Sequence, residues 1–460
     1  MNDLSHFAGK RVLVYSLGIE GRDLAALFVR VGAHVVMSDT RTEPQLVEAK
    51  AAAPAGVERV VCGQPLLDPA GFDLLAVSQS VLRHDPAVVR ARELGIEVTS
   101  QMRLFLRLCR GRMIGITGAS GKSTTTALTG AMAAAAGVQH IVGGNIGQAL
   151  LGRLDEISEA ATVVLEISHT QLQYTDRSPA IAAITNVTPN HLDQFSWDAY
   201  VGLKRHILEY QGTGDTAILN ADDHTSRALV ADVRGQLART SLLIQPDGDG
   251  AWLDRGVITC RRGKQKREII DRGAIRLRGD HNVANVTMAC AIANAAGWPD
   301  AAIRSAAATF SGVPHRLEVV GQALAATWVN DSIATSPERT MAGLNAFTEP
   351  VVLLLGGRDK NLPIDGLREL AGQRCRAVVT FGEAGDLFFQ AMEGSVHDRL
   401  RVATLEEAVA AVTEIVRPGD VVLLSPGGTS FDAYPNFESR GERFRQLVRA
   451  IPGFVAEVSP

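Results

Sequence analysis

Residues 112–126, RMIGITGASGKSTTT, decide how the rest of the chain is read. RMIGITG is a short apolar run of strand length, and the stretch after it is rich in Ala and Thr and reads as a helix. Between the two lies Gly118-Ala119-Ser120-Gly121-Lys122-Ser123-Thr124. Glycines let the backbone fold tightly, so that its N–H groups face phosphate oxygens. The helix amino terminus adds positive potential, Lys122 a mobile charge, and Ser123 a hydroxyl able to ligate Mg²⁺. The strict GxxxxGK[ST] spacing is not met, because Ile116 stands where its first glycine belongs. The bland alternative is a plain Gly-rich strand-to-helix turn; the flanking strand and helix favour ATP. A phosphate loop alone does not choose between kinase, motor, switch and ligase.

Working outward, the same alternation of strand and helix recurs on both sides. Downstream come TVVLEIS (162–168), AIAAITNV (180–187) and TAILNAD (216–222). Short strands with Gly and charged turns follow over 241–278, an antiparallel side sheet, and then the helical HNVANVTMACAIANAAG (281–297). Upstream, RVLVYSL (11–17), a helical segment and AHVVMSD (33–39) make a βαβ start to a parallel sheet, continued by FDLLAVS (72–78) and IEVTS (96–100). A third set begins near Val313, with ATWVNDS (326–332), VVLLLGG (351–357), AVVTFGE (377–383) and VVLLSPG (421–427). The fold class expected is α/β in three domains. They are a Rossmann-like domain over 1–102, a P-loop ATPase-like central domain over 103–312, and a Rossmann-like carboxy-terminal domain over 313–460.

Bulk properties bound the function. At 460 residues the chain exceeds one hydrophobic core, and its 46% apolar content fills several. A formal charge of -4 gives no bulk pull toward nucleic acid or an anionic membrane, so no partner of either kind is expected. The five cysteines are scattered without a CxxC pair, which reads as reduced thiols. The amino terminus has no apolar signal core and no apolar run reaches bilayer length, so a cytoplasmic location is expected.

Particular polar residues sit where chemistry is expected. Ligands of a parallel nucleotide-binding sheet lie beyond the carboxyl ends of its strands, and Glu166 ends VLEIS at that rim. A carboxylate there suits Mg²⁺, which prefers hard oxygens. TNVTPNHLD brings His191 and Asp193 to the same rim. Lys204, in the helical YVGLKRHIL, reads from spacing alone as a solvated lysine. Gly18-Ile19-Glu20-Gly21 departs from GxGxxG, and Asp39-Thr40-Arg41 closes the second strand either as a nucleotide contact or as a cap or turn.

Several motifs occur in one order: ITGASGKSTTT, GGNIG (143–147), EISHTQL, NVTPNHLD with YVGLK, GDHNVAN (279–285), PHRLE (314–318), NDSIAT (330–335), LGGRDK (355–360) and SPGGTSFDAYPNFESRG (425–441). Over nearly its whole length the chain resembles the Mur ligases of peptidoglycan synthesis. The resemblance implies an ATP-dependent ligase that adds D-glutamate to UDP-N-acetylmuramoyl-L-alanine through an acyl phosphate, working as a monomer with two Mg²⁺ ions. Gly118 to Thr124 would hold ATP phosphates, with Ser123 and Glu166 on one Mg²⁺ and His191 on the second. Lys204 would be carbamylated, its new oxygens securing the metal pair. Lys122, His191 and Lys204 form the catalytic set. Asn282 would meet the adenine, and Arg316 and Asp331 the phosphates and ribose. Gly18, Ile19, Asp39, Thr40, Arg41 and Asn145 would bind the UDP substrate. Thr335, Lys360, Ser430 and Phe437 would form the glutamate pocket. Ile333 stands where many of these ligases have Lys, Ala119 where Thr is usual, and Asn190 where Asp is usual. EISHTQL stands for ELSSFQL and SQS (78–80) for SPG. The charge absent at Ile333 makes the same ligation with L-glutamate the nearest competitor. A folylpolyglutamate-synthase-like ligase and a P-loop switch are the others.

Overall fold

The computed structural model describes residues 4–145, 150–189, 194–277, 279–360 and 362–456. Its backbone packs as two compact units, Met1–Phe310 and Ser311–Pro460.

The first unit holds two sheets. One has five parallel strands in the order Val57–Cys62, His34–Asp39, Arg11–Tyr15, Leu74–Val77, Glu97–Ser100. Its earliest strand lies at the centre and later strands are added on both sides, which opens a crevice beyond the carboxyl ends. Val12–Tyr15 and Leu74–Val77 are buried throughout, as parallel strands covered by helices on both faces must be.

The second sheet has nine strands. From one edge, His140–Gly144, Thr162–Glu166, Arg112–Thr117, Ile181–Ile184, Thr216–Asn220, Gln236–Ser241 and Asp249–Asp254 run parallel. Val257–Arg262 and Gln265–Asp271 then add antiparallel. The antiparallel strands expected over 241–278 are hydrogen-bonded onto the far edge of the parallel sheet. Turn chemistry explains the switch. Arg255 and Gly256 take φ values of 48° and 87°, and Gly263 takes 59°, the left-handed backbone of two-residue hairpins. Helices Lys122–Ala135 and Asp280–Ala296 share one apolar cluster with Ile114, Ile116 and Val164 of this sheet. The second helix is apolar nearly all round because it is buried nearly all round.

A buried carboxylate ties the two sheets together. Asp23, on helix Ile19–Arg30 of the first, accepts the N–H groups of Leu150 at 2.9 Å, Leu151 at 2.8 Å and Gly152 at 3.0 Å. Gln101 Nε2 donates to the same carboxylate at 2.6 Å. Asp23 thus satisfies the otherwise unpaired donors that open the short 3₁₀ helix Leu151–Glu156, next to the second sheet.

The second unit is one seven-stranded sheet in the order Asp398–Arg401, Cys375–Phe381, Val351–Gly356, Val421–Gly427, Ala326–Asn330, Glu318–Ala323, Val455–Ala456. The first five run parallel and the last two pair antiparallel. VVLLLG and VVLLSPG are buried at every position, which explains their unbroken apolar texture. Among the described residues no helix is long and apolar enough to cross a membrane.

Candidate functional site

Strand Arg112–Thr117 delivers the glycine turn to the rim of the nine-stranded sheet. Gly118 has φ 149° and Gly121 φ 81°. A Cβ on Gly118 would lie 1.9 Å from Thr185 Oγ1, and one on Gly121 2.2 Å from Asn285 Oδ1. Neither position admits a side chain, on conformational and on steric grounds. The turn is clamped from the neighbouring strand end. Ser120 N–H donates to Asn186 Oδ1 at 3.0 Å, Asn186 Nδ2 to Ser120 O at 3.2 Å, and Thr185 Oγ1 to Ser120 O at 2.7 Å. Ala119 N–H donates to Asn186 O at 2.9 Å. Lys122 Nζ lies over its own loop, 2.9 Å from both Gly118 O and Ala119 O. Ser123 opens the following helix and is buried. Asn282 sits in the first turn of helix Asp280–Ala296 and accepts from Asn285 Nδ2 at 3.2 Å, so the Asn285 that abuts Gly121 also orients Asn282.

Glu166 ends strand Thr162–Glu166 and pairs in register with Ile116, two residues before Gly118. It is 2% exposed. Oε1 accepts from Asn145 Nδ2 at 3.0 Å, while Oε2 is buried with no hydrogen-bond partner among the described residues. Gly144 permits this approach: a Cβ there would stand 2.0 Å from Glu166 O. An orphan carboxylate oxygen in a dry place is costly unless a cation completes it. With the Ser123 hydroxyl on the adjacent helix, the oxygens present fit the hard donor set of Mg²⁺. Among the described residues no group of three or more His, Cys, Asp or Glu side chains could hold a metal ion, and His191 and Asp193 lie outside them, as do Asn190, Ile146 and Gly147.

Lys204 overturns the reading from spacing. It is 1% exposed, on helix Trp197–Arg205, with Nζ donating to Thr117 Oγ1 at 3.2 Å and Gly118 O at 2.9 Å. The Tyr200 ring lies beneath it at 5.4 Å. Burial, and then the charge of Lys122, push the Lys204 ammonium well below the usual lysine range, against the pull of Glu166. Lys204 therefore stands against the phosphate turn as a buried lysine shifted toward its neutral form.

At the first sheet, Asp39 caps its own turn, with Oδ1 accepting the Arg41 N–H two residues on at 3.1 Å. It is buried at the end of strand His34–Asp39, where Oδ2 accepts Leu17 N–H at 2.8 Å and Arg41 Nη2 at 2.7 Å. Arg41 Nε adds a bond to Oδ1 at 3.0 Å. Burial raises the carboxyl, but the Arg41 and Leu17 hydrogen bonds outweigh it and hold Asp39 below the usual range. Thr40 and the Arg41 side chain face solvent beside the Gly18-Ile19 turn, with Ile19 exposed. Glu20 turns inward to accept from Gln79 N–H at 2.7 Å and Gln171 Nε2 at 2.8 Å, and burial raises its carboxyl.

In the second unit, the strand ends Asn330 and Gly427 bring two loops side by side. Asp331 is 4% exposed and accepts from Ser425 Oγ at 2.9 Å and Leu317 N–H at 3.2 Å. Burial pushes it up to about 7, against those hydrogen bonds and the fields of Arg316 and Arg339. Lys360 Nζ donates to Thr335 Oγ1 at 3.2 Å. Ser430 is buried, and its carbonyl takes the N–H groups of Ala433 and Tyr434. Phe437 opens helix Phe437–Arg449, and its carbonyl accepts from Ser332 Oγ at 2.8 Å. The residue that holds these pieces together is one that sequence reasoning left without a role. Arg440, fully buried, donates to Ser332 Oγ at 3.0 Å, Ser332 O at 2.9 Å, Gly428 O at 3.2 Å and Thr429 O at 3.0 Å. Its only sequence signal is its place inside SFDAYPNFESRG.

The Mur ligase middle domain matches residues 116–293, and the Mur ligase glutamate ligase domain matches 315–428. A UDP-N-acetylmuramoylalanine–D-glutamate ligase of Symbiobacterium thermophilum is 39% identical over 448 residues, spanning 96% of this chain and 98% of that one. The chain belongs to the Mur ligase family. A second protein of the same name, from Clostridium botulinum, is 35% identical over 96% of this Mur ligase and 97% of its own length. Among solved structures, the UDP-N-acetylmuramate-alanine ligase MurC of Thermotoga maritima aligns with TM-score 0.55 at 19% identity, over 95% of this chain and 98% of that one. A murein peptide ligase from Psychrobacter arcticus aligns with TM-score 0.50 at 16% identity, over 96% and 99%. Those two likenesses establish a shared fold.

Proposed function

We propose that this Mur ligase is an ATP-dependent enzyme that joins D-glutamate to UDP-N-acetylmuramoyl-L-alanine, as a monomer in the cytoplasm. The observation that carries the reading is the rim at Gly118: a phosphate turn, a Glu166 carboxylate oxygen with no hydrogen-bond partner among the described residues, and the buried Lys204 amine meet there. In this reading residues 1–102 take the UDP substrate, 103–312 take ATP and 313–460 take the amino acid.

Gly118 to Thr124 bind the triphosphate through backbone N–H groups, with Lys122 leaving its own carbonyls for phosphate oxygens. Ser123 and Glu166 would hold one Mg²⁺ and His191 a second, and magnesium there would supply neutralisation of charge on the transferring phosphoryl group. Neutral Lys204 would add to CO₂, forming an N–C bond and releasing a proton, and the carbamate would supply two hard oxygens as metal ligands. The substrate carboxylate attacks the γ-phosphorus and ADP departs, leaving an acyl phosphate. The amine of glutamate attacks the acyl carbon, and the tetrahedral intermediate expels phosphate. Asn282, Arg316 and Asp331 serve the nucleotide, Gly18, Ile19, Asp39, Thr40, Arg41 and Asn145 the UDP substrate, and Thr335, Lys360, Ser430 and Phe437 the glutamate.

The test is phosphate release from ATP with UDP-N-acetylmuramoyl-L-alanine and D-glutamate, L-glutamate or other amino acids. Release that requires the UDP substrate and D-glutamate together supports the reading. Preference for L-glutamate reverses the stereochemistry, and release with neither substrate reduces the protein to a P-loop switch.

A further inference from the structure

Around the turn that follows Asn330, positive charge collects in side chains that form no ion pair among the described residues. Ile333 contributes none, yet its carbonyl accepts from Arg339 Nη1 at 3.2 Å and from Thr335 N–H at 2.8 Å. The hydroxyl of that same Thr335 accepts from Lys360 Nζ at 3.2 Å. Arg339 and Lys360 therefore bracket three residues of backbone, with Arg440 behind them on Ser332. Among the described residues no carboxylate lies within ion-pairing distance of any of the three cations. Asp331, the nearby acid that feels the field of Arg339, is occupied by Ser425 and Leu317. Lys360 reaches solvent, yet partial burial, then the charges of Arg339 and Arg440, press it toward its neutral form.

The three cations differ in what they can do. Arg440 is fully buried and its donors are used on carbonyls, so it shapes the loops. Arg339 and Lys360 keep exposed side chains. Arg339 spends one donor on Ile333, and a guanidinium has four more in a planar fork suited to a carboxylate. Glutamate carries two carboxylates, and Lys360 is a single point charge.

We infer that Arg339 is a second substrate-binding cation, which with Lys360 takes the two carboxylates of the amino acid and supplies the charge that Ile333 lacks. This rests on the ligase reading above and adds to it a residue to which no role had been given. Helix Pro337–Leu344 presents Arg339 from its first turn, so the group is carried on a rigid element rather than on the loop it serves.

The experiment measures phosphate release at varied glutamate and varied ATP for the full chain, Arg339→Met and Arg339→Lys. Arg339→Met is expected to raise KM for glutamate at least tenfold while KM for ATP stays within twofold. Arg339→Lys, which keeps the charge, is expected to recover most of that loss. Equal rises in both KM values mark a folding or loop defect and overturn the inference. So does an Arg339→Met variant with unchanged KM for glutamate in a wild-type background that needs glutamate. A wild-type chain that releases phosphate regardless of glutamate ends the ligase reading, and this inference with it.

Discussion

Asp331→Asn is expected to stabilise the second unit above neutral pH while weakening ATP use. Asp331 is 4% exposed, and burial lifts its carboxyl from an ordinary 3.8 to about 7. The folded chain thus holds this proton where the unfolded chain has released it. Stability contributed by the raised group is full below the unfolded value, falls as pH rises, and is gone once pH passes about 7. Each decade of proton affinity corresponds to ~1.4 kcal/mol, so the roughly three-decade gap amounts to about 4 kcal/mol, of which about 3 kcal/mol falls between pH 5 and pH 8. An asparagine removes the titration and keeps the shape. Its carbonyl still accepts Leu317 N–H, and Ser425 Oγ turns from donor to acceptor, which a hydroxyl permits. The assay is native-state hydrogen exchange of strand Ala326–Asn330 at pH 5 and pH 8, corrected for intrinsic rates. The variant's advantage over wild type should widen by about 3 kcal/mol across that interval. An advantage that is flat with pH to within ~1 kcal/mol refutes the buried-acid argument.

Three further outcomes are expected. Lys122→Ala should lower ATP-dependent phosphate release by roughly 10²–10³-fold with an unchanged unfolding midpoint; near-normal turnover removes Lys122 from the site. Lys204→Ala should be inactive and partly restored by short carboxylates such as acetate, since these replace the carbamate oxygens; full activity without them means the buried amine is only structural. Asn186→Ala should raise KM for ATP roughly 30-fold, from the loss of two side-chain hydrogen bonds to the Ser120 backbone at about 1 kcal/mol each. If the ATP dependence of that variant matches wild type, the clamp on the phosphate turn has no functional weight.

Much of this site was readable because its chemistry is local. The Gly118–Gly121 turn needs its glycines for their own backbone angles and for close neighbours, and Lys122 and Ser123 follow at fixed offsets. Glu166 was legible for a related reason: a charged residue ending an apolar strand must lie at the rim where that strand stops. Asn186 and Arg440 were invisible for the opposite reason. Asn186 matters through Ser120, 66 residues earlier, and Arg440 through Ser332, 108 residues earlier. No periodicity encodes a partner at that distance. Arg339 escaped notice because a lone arginine on a short helix looks like any solvated charge until Ile333 O and Lys360 are seen beside it.

By itself the chain's order of apolar runs, glycines and strand-ending acids determined three α/β sheets and a phosphate turn, because backbone angles and burial on both strand faces are written residue by residue. Only the tertiary structure decided the state of individual side chains. It buried Lys204 against Gly118 and Thr117, left Glu166 Oε2 without a hydrogen-bond partner among the described residues, and carried the antiparallel hairpins onto the edge of the parallel sheet. Desolvation and charge pairing depend on what the rest of the fold brings within a few ångströms, and neighbours in sequence do not set that.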